Sequence, residues 1–62
     1  MYRIYIQDRD VRLYLMDWII SVGMDHPQFT TTRDHAMTFE RFEDALKYHK
    51  RLKALEFEPH IK

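Results

Sequence analysis

Residues 38–55, TFERFEDALKYHKRLKAL, are the one stretch of this chain with an unambiguous helical period, and the rest of the chain must cover its apolar stripe. Phe42, Ala45, Leu46, His49, Leu52 and Leu55 recur at spacings of three and four, so they share one side of an α-helix. Glu40, Glu43 and Asp44 open the stretch and Lys47, Lys50, Arg51 and Lys53 close it, an order that complements the helix dipole. Glu43 and Lys47 are spaced as a favourable i,i+4 pair. Thr38 is the expected N-cap, with Met37 and Phe42 as its hydrophobic staple, and Glu40 offers a competing start.

The covering surface reads as a sheet. Tyr2, Ile4 and Ile6 alternate with Arg3, Tyr5 and Gln7, which predicts a strand with one buried face. Asp8-Arg9-Asp10 follows as a turn and lacks an Asn-Gly or Asp-Gly pair, so a loop longer than two residues is expected. Val11, Leu13 and Leu15 alternate with Arg12, Tyr14 and Met16 in a second strand. Residues 17–22 lose that alternation, which predicts a bulge or a strand covered on both faces, with a short helix as the minor alternative. Gly23 to Pro27 is the expected break, because glycine permits positive φ and Pro27 holds His26 extended. Phe29-Thr30-Thr31-Thr32 suits a short edge strand or a hydroxyl-rich loop, and residues 34–39 are expected to carry the last extended stretch, with Ala36 and Phe39 facing the helix. Beyond the helix, Phe57 and Ile61 flank Glu58-Pro59-His60, where a proline confines any strand to an edge. The expectation is a single α+β domain over residues 1–62, a small antiparallel sheet of three to four strands with one helix packed on a face, in the order β-β-β-α-β.

With 62 residues the chain is near the lower size for independent folding, and it has no cysteine for disulfides, thiolate metal sites or a thiol nucleophile. Ten basic residues offset ten acidic ones, so no whole-molecule field draws it to nucleic acid or anionic lipid. The apolar run over 18–22 is far too short to span a bilayer, and the first residues lack a signal peptide's apolar core. A soluble, cytoplasmic protein without membrane attachment is the expectation.

Little in the chain supports catalysis. His26, His35, His49 and His60 include no His-x3-His pair or HExxH, so no metal site is expected, and His49 is read as part of the helix stripe. Ser21 is the only serine and lies in an apolar strand with no glycine-rich elbow. Asp8 with Asp10, and Glu43 with Asp44, are turn and helix-start residues. Neither an enzyme nor a cofactor is implied.

The succession Phe29-Thr30, then Ala36, Phe39, Glu43, Asp44 and Ala45, resembles a pattern common among small uncharacterised proteins of bacteriophages and prophages. The chain departs from it at Glu40, where a Ser, Thr or Asp cap is usual. The resemblance implies an α+β fold and a host-directed accessory role, in the host cytoplasm.

One helix covers one face of a sheet. If Tyr2, Ile4, Ile6, Val11, Leu13 and Leu15 face it, then Tyr5, Tyr14, Met16 and Trp18 point the other way, a set with the composition of an interface hot spot. The first expectation is therefore a non-enzymatic interaction protein that binds another protein through these four residues and modulates or inhibits it by occluding its surface. Homodimerisation through that face or an edge strand would also enlarge a small core. The alternative, from another class, is a nucleic-acid-binding factor using Lys47, Lys50, Arg51 and Lys53, interleaved with Tyr48 and His49, with Arg3, Arg9 and Arg12 extending the patch.

Overall fold

The computed structural model describes all 62 residues. Strands β1 (Ile4–Asp8), β2 (Val11–Ser21) and β3 (Met24–Thr30) are followed by a 3-10 turn at Arg33–His35, helix α1 (Phe42–Ala54) and strand β4 (His60–Ile61). The strands form one antiparallel sheet in the order β3-β2-β1-β4, with α1 packed against it. This is the α+β arrangement that the periodicities predict.

Alternation decides which face is buried. Ile4 pairs with Ile61 and Leu15 with Phe29, and these side chains meet Ala45 and Leu52 of α1. Ile4, Leu15, Ala45 and Leu52 are fully buried and Phe39 nearly so. Phe42 and Leu55, at the two ends of the predicted stripe, stay 45% and 46% exposed, the first as the opening residue of α1 and the second as its C-cap. Tyr48 instead fills the centre, packing on Phe39 at 5.4 Å and on Trp18 at 5.9 Å between ring centroids.

Four local expectations are corrected. The first hairpin closes with two residues, since Asp8 pairs with Val11; Arg9 takes the left-handed φ of 58° that Asn or Gly usually supplies, and Gln7 Nε2 donates to Arg9 O at 2.9 Å. The break at residues 23–27 shrinks to Val22-Gly23, and Pro27 lies within β3 opposite Trp18. β3 is an edge strand, so a residue without an N–H is tolerated there. α1 begins at Phe42, not at a Thr38 cap, because Phe39 is claimed by the sheet: its N–H and C=O exchange hydrogen bonds with Tyr2 at 2.9 and 2.7 Å. Arg41 occupies the cap position and makes no side-chain cap bond. Finally, Lys47 meets Asp44 at 3.8 Å, not Glu43, in an exposed pair that contributes little.

The end of α1 is built more carefully than its start. Phe57 N–H donates to Leu52 O at 3.1 Å and Glu56 N–H to Lys53 O at 2.9 Å, the paired bonds of a Schellman motif. Its left-handed position is held by Glu56, with φ of 69°. Glycine is the residue that adopts this conformation without strain. Glu56→Gly is expected to stabilise the fold by about 0.5–1 kcal/mol, the strain relief exceeding the added freedom of the unfolded chain. Thermal unfolding would read this as a rise of about 2–8 °C; an unchanged or lowered midpoint would refute it.

Candidate functional site

The distribution of side chains on β2 turns on one residue. The pairing of β2 with β3 shifts between Leu15 and Asp17, so Met16 is an extra residue opposite no partner, a β-bulge. Up to Leu15 the odd-numbered residues face α1; after the bulge Trp18 does so instead. Trp18 packs against the core beside Tyr48, with the Arg51 guanidinium 5.7 Å from its ring. Its backbone N–H donates to Asp17 Oδ1 at 2.8 Å, while its indole Nε1 has no acceptor. The expected set is thus divided: Tyr5 and Tyr14 lie together on the outer face at 5.8 Å, Met16 sits half-buried at the bulge, and Trp18 belongs to the opposite, helix-covered side.

Around Tyr5 the outer face is a layer of rings and guanidinium. His60 stacks on Tyr5 at 5.1 Å with 25° between planes, and the Arg12 guanidinium lies 4.4 Å from the same ring. The pairing of Tyr5 with both Tyr14 and His60, and of Tyr14 with Thr30, runs this row across all four strands.

Beyond Leu15, β2 has a different character. β1 pairs with β2 only over Val11 to Tyr14, and Met37 N–H takes the carbonyl of Leu15 at 2.9 Å. From Asp17 to Ser21 the only strand paired with β2 is β3, so the two form a ribbon that leaves one edge of β2 unpaired. The ribbon closes at Val22-Gly23, where Gly23 takes φ of 84° and Ser21 Oγ donates to Met24 O at 3.0 Å. Its tip is apolar: Ile20 is 72% exposed, Met24 65%, and Val22 fully. The tip residues Ile20, Val22 and Met24 are not among the expected contact residues. The only sequence signal for the arm is Gly23 at the end of the apolar run over 18–22.

The basic end of α1 is divided by its own contacts. Lys47 reaches Asp44, and Arg51 is held over Tyr48 at 5.1 Å as well as near Trp18, leaving Lys50 and Lys53 exposed without a partner. Tyr48, the aromatic expected to stack on a base, is turned into the core. The histidines are also dispersed. His26 is on the arm, His35 in the 3-10 turn, and His49 donates Nε2–H to Pro59 O at 3.1 Å beside an open groove that it shares with His60. No group of three His, Asp or Glu side chains stands close enough to hold a metal ion. No helix is long and apolar enough to cross a membrane.

No family model, curated protein or solved structure matches the chain.

Proposed function

We propose that this chain is a non-enzymatic interaction protein that occludes the surface of a partner protein, and that the β2–β3 arm is its contact element. The carrying observation is the arm's tip, where Ile20, Val22 and Met24 project into solvent from a ribbon in which β2 also has an unpaired edge. Exposed apolar side chains grouped on one projection mark contact sites more often than scattered ones do. Burying three such side chains yields about 4–9 kcal/mol gross. Association itself costs on the order of 4–15 kcal/mol, so the tip alone does not hold a partner. Strand addition along the free edge of β2 supplies the remaining main-chain hydrogen bonds, with alternate side chains filling the partner's pockets.

The bacteriophage-like residue pattern makes a host protein the expected partner. The second reading is a second copy of this chain pairing edge to edge, favoured by a core of only five buried hydrophobic side chains. The test is the double substitution Ile20→Asp with Met24→Asp, both at exposed positions that leave the core intact. The variant is expected to keep its circular dichroism and to lose the proteins that the parent captures from host lysate. Light scattering separates the readings: a parent at twice the protomer's 7.7 kDa that falls to one protomer in the variant indicates self-pairing. If the variant retains both the captured proteins and the parent's mass, the arm is not the contact element.

A further inference from the structure

The outer face of the sheet holds a second feature, independent of the arm. Arg3, Arg12, Arg33 and Lys62, with Tyr14 and Met1, line a cavity of about 410 Å³. No acidic residue lines it, and the one ion pair of the molecule, Lys47 with Asp44, is on α1. In a chain whose formal charges cancel, four cationic side chains around one cavity create a local field that net charge conceals.

The fold assembles these four from distant positions. Arg3 and Lys62 exchange backbone hydrogen bonds at 3.0 and 2.9 Å, extending the β1–β4 pairing by one residue. Arg12 and Tyr14 are alternate residues of β2 and therefore share a face, and Arg33 enters from the 3-10 turn. None of the three guanidinium groups donates a hydrogen bond within the chain. Arg3 Nε is moreover shielded from solvent with no acceptor. That shielding holds the Arg3 side chain in place, and for the remaining guanidinium nitrogens of Arg3, Arg12 and Arg33, which have no acceptor within the chain, an oxyanion supplies acceptors.

The cation count selects among oxyanions. A carboxylate or an internal phosphodiester brings one negative charge. A phosphomonoester brings about 1.5 to 2 at neutral pH and three terminal oxygens, which suit arginine forks. We propose that this pocket binds a phosphomonoester or diphosphate group, the chemistry of a free nucleotide or of the 5′ end of a nucleic-acid strand, with Tyr14 as the aromatic wall beside it.

Amide NMR titrations of the intact chain test this with four probes: pyrophosphate, ADP, a 5′-phosphorylated oligothymidylate and the same oligonucleotide with a 5′ hydroxyl. Pyrophosphate is expected to shift the amides of Arg3, Arg12, Tyr14 and Arg33. Arg12→Gln and Arg33→Gln, at exposed positions, are each expected to weaken its binding roughly tenfold. Lys50→Gln, on α1 and outside the pocket, is expected to leave it unchanged. ADP bound more tightly than the phosphorylated strand identifies a free nucleotide as the source; the reverse order identifies a strand end. Absence of pyrophosphate shifts, binding of the 5′-hydroxyl strand as tight as that of pyrophosphate, or indifference to both arginine substitutions would overturn the assignment.

Discussion

Leu15→Ala is expected to remove about 3 kcal/mol of folding free energy. Leu15 is fully buried in a central strand beside Phe29 and belongs to the core cluster with Ala45 and Leu52 of α1. Truncating a buried leucine costs roughly 2–5 kcal/mol. A domain of this size has about 3–9 kcal/mol in all, so the variant would be partly unfolded at 37 °C. Urea denaturation measures the loss directly. Phe42→Ala, at the half-exposed end of α1, serves as the contrast and should cost less than about 1 kcal/mol. A Leu15 variant that behaved like the Phe42 variant would show that the helix does not pack where it is placed.

The second large effect is Trp18→Ala, with an expected cost of about 2–3 kcal/mol. Full burial of tryptophan would set the figure at roughly 3–5 kcal/mol. Trp18 is only partly buried and its Nε1 has no acceptor, which lowers the net worth of the ring. The Tyr48 packing and the Arg51 cation over its face remain as the losses. The placement is opposed to a contact role on an open face. An open-face tryptophan would leave stability within about 0.5 kcal/mol on truncation. Deleting Met16 checks the bulge by itself: with the extra residue gone, Asp17 still pairs with Gln28 and Trp18 with Pro27. Trp18 fluorescence should then stay at its buried wavelength, whereas emission shifted to that of solvent-exposed tryptophan would refute the assigned register.

Much of the architecture was legible because strands and helices write their periods into local sequence. Ile4 and Leu15 were readable as inward by alternation, and Ala45 and Leu52 by helical spacing. The helix start was misplaced because Thr38 and Met37 satisfy every local rule for a cap and staple. The competing interaction, the two-way bond of Phe39 with Tyr2, joins residues far apart in the chain. The sites were less legible still. Strict alternation carried past Met16 places Trp18 on the open face, and one extra residue in a ladder reverses every side chain after it.

The element order, the inward residues of β1 and of the first half of β2, and the lack of net charge are all readable from residue order, because each depends on local period or simple composition. Tertiary structure alone decided which surface is free. β2 outruns β1 and exposes Ile20, Val22 and Met24, and the sheet gathers Arg3, Arg12, Arg33 and Lys62 around one cavity. Both results depend on strand length, register and contacts between distant residues, and packing energy, which no local pattern encodes, sets all three.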